Sequence, residues 1–282
     1  MPAYHRPNDL PSALDILAGG PVRVAAGCTD LYPATAAKAL PGDILDITAI
    51  AALRGIRQVD GGWRIGAATT WTDLLRAPLP PAFDALKLAA REVGSVQIQN
   101  AGTLAGNLCT ASPAGDGIPA LMVIDAEVEL QSATGRRVLP LAEFVTGARK
   151  TALRPDEMVT AILVPKVEGR GDFLKLGARK YLVISIAMVA ARFEISGDRF
   201  RDVALAVGSC APVAVRLTAL EQALKGQPVQ GADGLAPVVR LIPALAPIDD
   251  IRGSAGYRRE AVEELVRRLL QRCAERQRGA AA

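Results

Sequence analysis

The chain has 282 residues, of which half are hydrophobic and 22% are charged, and this composition is typical of a folded protein with two domains. Basic residues exceed acidic residues by only four and aromatics make up 4%, so the dense basic stripe and stacking aromatics of a nucleic-acid binder are missing. The sequence contains neither a signal-peptide pattern nor an apolar run of the roughly 20 residues that a membrane span needs. These features predict a cytoplasmic protein with no nucleic-acid partner and no membrane span.

Four widely spaced cysteines and a single histidine, His5, limit the chemistry that side chains of this chain can perform. No Cys-x-x-Cys pair is present, so neither a zinc knuckle nor an iron–sulfur ligand set is predicted. A Ser-His-Asp triad or a multi-histidine metal site would need His5, which lies in the polar N-terminal segment. We therefore expect no metal and no catalytic side chain, and we expect a cofactor to carry any redox chemistry.

Strands and helices alternate through the first part of the chain. Leucines at helical spacing predict a helix that begins after Asn8, and apolar runs predict strands at 22–26, 43–47 and 63–67. Thr70 is a predicted cap of a helix through Arg76, and a second helical pattern ends at Gly94. Residues 94–117 are predicted to be irregular, and so long an irregular stretch is typical of a functional segment. Strands near 127–131, 137–139 and 158–164 complete the first domain.

A polar segment with two glycines, residues 166–172, is the predicted linker, with the domain boundary near residue 168. Beyond it, 181–195 and 200–207 are predicted to form a hairpin about Ser196-Gly197-Asp198, and Pro212 is predicted to open a helix. The chain ends in a predicted amphipathic helix. The expected domains are residues 1–168, with subdomains of about 1–55 and 56–168, and residues 169–282, all of α+β class.

The first of two candidate binding loops leaves the strand at 22–26 and is predicted to enter a helix. Its residues are Val24, Ala25, Ala26, Gly27, Cys28, Thr29, Asp30 and Leu31. Gly27 permits a positive φ and a close approach of the backbone, so successive amides can surround an anion such as a phosphate. A tight structural turn is the alternative, and for this loop taken alone a turn is the more common outcome.

The second candidate loop, residues 103–116, carries small residues, hydroxyls and one acid. Gly106 allows the main chain close to a ligand, and Asp116 is a candidate acceptor for ribose or ribityl hydroxyls. The other candidate hydrogen-bonding residues are Thr103, Asn107, Thr110 and Ser112. The alternative is a well-capped loop ahead of a helix from Gly117. Two such loops in one domain favour a dinucleotide, and the absence of Gly-x-Gly-x-x-Gly and P-loop motifs disfavours a Rossmann or P-loop fold.

Several segments resemble the FAD-binding medium subunit of the xanthine dehydrogenase and carbon monoxide dehydrogenase family of molybdenum hydroxylases. The longest runs from Val93-Gly94-Ser95 through Asn107 to Leu130, and the resemblance extends over nearly the whole chain. It is also carried by the first loop and by Gly66 to Thr70, Lys175 to Lys180 and Ala206 to Pro212. The resemblance implies a PCMH-type FAD-binding domain of two α+β subdomains, followed by a smaller α+β C-terminal domain with hairpin strands and helices.

The resemblance also implies a role for the chain as an oxidoreductase subunit. Electrons would pass from two-iron two-sulfur clusters on a small partner subunit through FAD to NAD, oxygen or another acceptor, and the molybdenum cofactor would lie on a large partner subunit. Residues 24–31 would surround the FAD diphosphate. The further FAD-binding residues that the resemblance implies are Thr103, Gly106, Asn107, Thr110, Asp116, Val159 near the adenine or flavin, and Lys175 near the flavin ring. From exposure statistics alone, Lys175 and Arg179 would instead be a solvated pair.

The sequence departs from the family pattern at several positions near these loops. Two of them, Cys28 and Ala105, stand where glycine is common, Gln99 stands where arginine is frequent, and Leu182-Val183 stands where xanthine-oxidising members carry acids. Cys28 and Cys109 are predicted to be small fillers rather than redox thiols. Two alternative functions remain open at this point: a stand-alone FAD-dependent oxidoreductase and a flavin-free assembly or docking module.

Overall fold

The computed structural model describes residues 2–36 and 40–281. The strands in this part of the chain are β1 (Tyr4–His5), β2 (Val22–Ala25), β3 (Asp43–Asp46), β4 (Ile56–Val59), β5 (Gly62–Gly66), β6 (Glu127–Ser132), β7 (Gly135–Pro140), β8 (Val145–Gly147), β9 (Lys150–Thr151), β10 (Met158–Pro165), β11 (Arg170–Leu176), β12 (Ala187–Ser196), β13 (Arg199–Gly208) and β14 (Val215–Arg216). The α-helices are α1 (Leu10–Ala18), α2 (Trp71–Arg76), α3 (Asp84–Glu92), α4 (Val96–Ala101), α5 (Leu104–Thr110), α6 (Gly117–Met122), α7 (Leu141–Phe144), α8 (Thr218–Leu224) and α9 (Ala255–Ala281), and 3-10 helices span Ala51–Leu53, Pro81–Phe83 and Ala232–Leu241.

The chain forms two compact units, each assembled from several segments. The first unit comprises Met1–Ala77, Val93–Ala111 and Asp125–Lys166, and the second comprises Pro78–Glu92, Ser112–Ile124 and Val167–Ala282. Both units mix helices and sheets, which confirms the predicted α+β class. The division of the sequence into residues 1–168 and 169–282 stays a prediction. Among the helices of the described segments, none is long and apolar enough to cross a bilayer.

The first unit contains two sheets. Strand β3 pairs in parallel with β1 and β2, and a separate antiparallel sheet has the order β4-β5-β10-β6-β7. Leu14 and Leu17 of α1 pack with Leu45 of β3 in one apolar cluster, which confirms the amphipathic pattern after Asn8. The capping box at Thr70 is also confirmed, because its hydroxyl accepts the Asp73 amide at 3.1 Å while Asp73 accepts the Thr70 amide at 3.0 Å.

The prediction that residues 94–117 are irregular is wrong, because α4 and α5 lie within this stretch. Two hydroxyls that suggested a loop are helix caps instead. The Ser95 hydroxyl accepts the Ile98 amide at 3.4 Å, and the Thr103 hydroxyl accepts the Gly106 amide at 3.0 Å. Serine and threonine favour both loops and N-caps because they satisfy amides that have no helical partner, so composition alone did not separate the two structures.

The second unit is built on an antiparallel sheet of order β11-β12-β13-β14. Its core is shared by the sheet, by α8 and by α9, whose residues Val262, Val266 and Leu269 are fully buried. The hairpin predicted at Ser196-Gly197-Asp198 and the amphipathic C-terminal helix are both confirmed. The predicted strand from residue 181 begins later, at Ala187.

Two further predictions in the second unit are wrong in detail. The predicted linker includes the first residues of β11, and Asp172 is only 1% exposed because its carboxylate faces Arg272 and Arg276 of α9 at 3.5 and 3.0 Å. The helix predicted from Pro212 begins at Thr218, since residues 215–216 pair with β13 before the helix starts. Tertiary pairing therefore overrides the local signals at both places.

Two arginines complete the short helix α6, whose last carbonyls have no intrahelical donor. The Arg192 Nε donates to the Val123 carbonyl at 2.8 Å, and the Arg216 Nη1 donates to the Met122 carbonyl at 3.0 Å. Arg192 is 5% exposed and also pairs with Asp202 at 2.8 Å. These contacts fasten the C-terminal end of α6 to the sheet of the second unit.

Candidate cofactor site

The first candidate loop follows β2 and runs through a series of turns rather than entering the predicted helix. Turn conformation covers residues 29–34, and the Tyr32 and Ala34 amides donate to the Cys28 and Asp30 carbonyls at 3.4 and 3.0 Å. The positive φ in this loop belongs to Cys28, at 58°, and not to Gly27 as the sequence suggested. A cysteine in the left-handed region is strained, and glycine would adopt this conformation at lower cost.

Gly27 is required for the close approach of the backbone, and the approach is between two backbone segments of the first unit. A Cβ atom placed on Gly27 would lie 1.9 Å from the Ala101 carbonyl oxygen and 2.8 Å from the Gly102 Cα. The Thr29 hydroxyl lies 3.1 Å from where a Cβ on Gly102 would be. The first loop is therefore packed directly on the turn that joins α4 to α5.

The amides of the first loop are available to bind an anion. Among the described residues, the backbone N–H groups of residues 27–31 donate no hydrogen bond, although all five residues are half-buried. Successive amides without a protein acceptor, next to a left-handed residue, are typical of anion-binding nests. The loop can accept a phosphate or diphosphate without any change in its own hydrogen bonds.

Helix α5 brings the second group of predicted residues to the same unit. Gly106 fits beneath the Thr103 cap, since a Cβ on Gly106 would lie 2.7 Å from the Thr103 hydroxyl. Asn107 follows on α5, and its Oδ1 is buried without a hydrogen-bond partner among the residues that the structure describes. Because a buried carbonyl without a donor costs about 1 to 3 kcal/mol, Asn107 is the clearest position in this unit for a donor from a ligand.

Asp30 connects the first loop to two other segments of the unit. The Thr110 hydroxyl at the end of α5 donates to Asp30 Oδ2 at 3.2 Å, and the Arg149 guanidinium reaches the same oxygen at 2.8 Å. The Arg149 amide also donates to the Ala111 carbonyl at 2.8 Å. Since both members of the ion pair are about half exposed, it contributes little to stability, but it fixes the position of the loop.

Asp116 and Lys175 lie in the second unit and form a buried ion pair. The Lys175 ammonium donates to Asp116 Oδ2 at 2.7 Å, the Ser185 hydroxyl donates to Asp116 Oδ1 at 2.6 Å, and both charged side chains are less than a tenth exposed. The solvated position that exposure statistics favoured for Lys175 is therefore wrong, although Arg179 is exposed. Burial raises the pKa of Asp116, and the adjacent Lys175 ammonium opposes that rise.

The remaining residues discussed from the sequence are Val159, Cys28 and Cys109. Val159 is 4% exposed in β10, a strand that contacts α5. Cys28 is half-buried, and burial raises the pKa of its thiol, as expected for an unreactive filler. Cys109 is exposed, so it does not fill a gap in the packing, but desolvation raises the pKa of its thiol to about 12, which agrees with the prediction that it is not a redox thiol.

Sequence reasoning missed two residues that hold these groups in place, Arg149 and Ser185. Ser185 is the single hydroxyl within an apolar run, and that isolation was a usable signal for a buried polar contact. Arg149 gave no such signal, because nothing in its local sequence distinguishes it from other exposed arginines.

The residues of the first unit fit the diphosphate end of a dinucleotide cofactor. The free amides of residues 27–31 supply donors for the anion, and the unpaired Asn107 carbonyl supplies an acceptor for a hydroxyl or amine. A dinucleotide offers both kinds of group, because its diphosphate accepts hydrogen bonds and its hydroxyls and amines donate them.

Comparison with known proteins gives matches over nearly the whole chain. Residues 1–167 match the family described as the FAD binding domain in molybdopterin dehydrogenase, and residues 172–273 match the CO dehydrogenase flavoprotein C-terminal domain. The xanthine dehydrogenase FAD-binding subunit of Escherichia coli O157:H7 is 30% identical over 275 residues, which cover 95% of this chain and 94% of that protein.

Two further similarities concern medium subunits of other complexes. The nicotine 6-hydroxylase medium subunit of Paenarthrobacter nicotinovorans is 29% identical over 273 residues and 95% of each chain. A carbon monoxide dehydrogenase structure from Hydrogenophaga pseudoflava, which lacks the Mo-pyranopterin moiety of its cofactor, contains a chain similar to this one with a TM-score of 0.86. That chain is 29% identical, and the match covers 95% of both chains.

Proposed function

Because this chain belongs to the family of FAD-binding subunits of molybdenum hydroxylases, we propose that it transfers electrons through FAD, from iron–sulfur clusters on a small partner subunit to an external acceptor such as NAD. The reacting substrate would be oxidised at a molybdenum cofactor on a large partner subunit and would not contact this chain. The chain is an oxidoreductase subunit. The proposal adds the direction of electron flow and says which redox centre each subunit carries.

The observation that best supports FAD binding by this particular chain is the pairing of free amides with a free carbonyl in the first unit. The amides of residues 27–31 are preformed donors, and Asn107 Oδ1 is a preformed acceptor. Preorganised polar groups contribute to affinity because binding does not require them to break contacts within the protein. We assign residues 24–31 to the FAD diphosphate, and Thr103, Gly106 and Asn107 to the adjoining part of the cofactor.

FAD, when bound, supplies a centre that exchanges electrons both singly and in pairs, a chemistry that no side chain of this protein provides. The protein's residues bind and orient the cofactor. Asp30 holds the first loop through Thr110 and Arg149, so the amides keep their direction when the diphosphate leaves. The assignments of Thr110, Asp116, Val159 and Lys175 to direct cofactor contact stay predictions, because the described contacts of Thr110 and Asp116 are to protein groups.

The small partner subunit and the large partner subunit are proposed from the names of the relatives. The similar proteins of Paenarthrobacter nicotinovorans and Hydrogenophaga pseudoflava are called medium subunit and medium chain. A medium chain implies a larger and a smaller one. The four cysteines are unpaired in this structure, which agrees with the proposed cytoplasmic location.

A native purification of the tagged chain from its own cells tests the proposed complex. We expect molybdenum and iron to co-purify in a constant ratio to flavin, and we expect the flavin to be reduced only when the partner subunits are present. A stand-alone flavin oxidoreductase would instead retain flavin and turn over substrate with neither metal present. Reproducible absence of both metals would contradict the proposed function.

Asn107→Ala is expected to weaken FAD binding about five- to tenfold, because it removes one hydrogen-bond acceptor. The flavin-free protein should lose little stability, since Asn107 Oδ1 has no protein partner among the described residues. Fluorescence titration of the flavin-free chain with FAD measures the effect, and Asn8→Ala, an exposed asparagine near the N-terminus, is the matched control. Equal FAD affinity in the two variants would remove Asn107 from the site.

A further inference from the structure

We propose that the first unit carries a second anion-binding site, separate from the cofactor loops, for a phosphate-bearing small molecule. Two adjoining cavities share Arg54, Gly55 and Ile56 in their linings. The larger has a volume of about 390 Å³ and also includes Arg76, and the smaller has a volume of about 230 Å³ and also includes Arg57 and Arg64. Neither cavity is lined by residues 24–31 or 103–110.

The arginines at these cavities carry more positive charge than the neighbouring acids neutralise. Arg64 pairs with Glu129 at 2.9 Å, but Arg54, Arg57 and Arg76 have no carboxylate partner in the described part of the chain. The Arg54 Nε donates to the Thr48 carbonyl at 3.3 Å, which orients this guanidinium and leaves its two terminal nitrogens available. The larger cavity is also lined by Asp73, whose carboxylate accepts the Thr70 amide within the capping box.

Strand pairing brings two of these charges together in a way that costs energy without an anion. Arg57 of β4 lies directly opposite Arg64 of β5. Like charges at directly opposed strand positions are destabilising, and only Arg64 has an acidic partner. A bound anion between Arg54 and Arg57 would offset this repulsion, and a guanidinium binds phosphate through two parallel hydrogen bonds.

The size of the larger cavity is compatible with a small molecule. A volume of about 390 Å³ falls within the range of small-molecule sites, and the apolar side chain of Ile56 lies beside the arginines. A phosphorylated metabolite has both an anionic group and a less polar part. Free phosphate has the same anionic group as a phosphorylated metabolite. The affinities of the two ligands differ only by the contact of the metabolite's less polar part with the apolar lining.

The test is isothermal titration of the FAD-loaded full chain with inorganic phosphate and, separately, with adenosine monophosphate, at constant ionic strength in chloride. Loading with FAD keeps the cofactor loops filled, so binding by them does not contribute. The double variant Arg57→Gln/Arg76→Gln is compared with Arg278→Gln, an exposed arginine near the C-terminus. Flavin content and the thermal unfolding midpoint confirm that each variant is folded.

We expect saturable binding to the wild type and to Arg278→Gln, with affinity at least tenfold lower in the double variant. Tighter binding of adenosine monophosphate than of phosphate would identify a phosphorylated metabolite, and equal affinities would identify free phosphate. Either result supports the site. Equal affinity in the double variant and the control overturns the proposal. Absence of saturable binding to the wild type also overturns it.

Discussion

Replacing Gly27 by alanine is expected to lower the free energy of unfolding by about 3 kcal/mol and to release most of the bound flavin. The added Cβ would lie 1.9 Å from the Ala101 carbonyl oxygen, and a backbone group cannot rotate away as a side chain can. The first loop must therefore move off the turn between α4 and α5, and its free amides move with it. Denaturant unfolding and the ratio of flavin to protein absorbance measure the two effects.

Two control variants separate this steric effect from other causes. Gly135→Ala adds a methyl group to open space in the same unit and should leave stability and flavin content unchanged. Cys28→Gly relieves the left-handed backbone at φ 58° and should retain flavin, with a change in stability within about 1 kcal/mol. Full flavin content in Gly27→Ala would show that the loop tolerates displacement and does not hold the diphosphate.

Features of the fold that depend on neighbouring residues could be predicted from the sequence. The capping box at Thr70 uses residues three apart, and the apolar face of α9 repeats at helical spacing, so both are complete within one segment. The stretch 94–117 was misread for a local reason as well. Serine and threonine hydroxyls are common both in loops and at helix N-caps. Here the hydroxyls accept hydrogen bonds from amides in the first turns of α4 and α5, and the local composition does not reveal those bonds.

Contacts between distant residues were beyond the sequence signals. Asp116 and Lys175 are 59 positions apart, and the pattern around each gave no indication that they are buried together. The close contact of Gly27 with Ala101 has the same character, because the sequence predicted a close backbone approach at Gly27 but not the segment that it contacts. The physical reason for Gly27, and for the burial of Asp116, lies in tertiary packing.

Asp116→Asn and Lys175→Met are each expected to lower the free energy of unfolding by about 3 to 5 kcal/mol. Each substitution leaves the opposite charge buried without its partner, and the desolvation of an unpaired ion is the largest contribution to the loss. The resemblance alone treated Asp116 as a cofactor ligand whose removal affects flavin content. The structure gives both of its oxygens protein donors, so we expect loss of stability at full FAD saturation.

The double variant Asp116→Asn/Lys175→Met distinguishes an ion pair from two independent packing sites. With both charges removed, no ion remains buried, so the double variant should be more stable than either single variant. Ser185→Ala serves as the control for the hydrogen bond to Asp116 Oδ1 and should lower stability by only about 1 kcal/mol. Denaturant unfolding of the FAD-loaded variants gives the coupling energy. Additive losses in the double variant would mean that the two charges do not depend on each other.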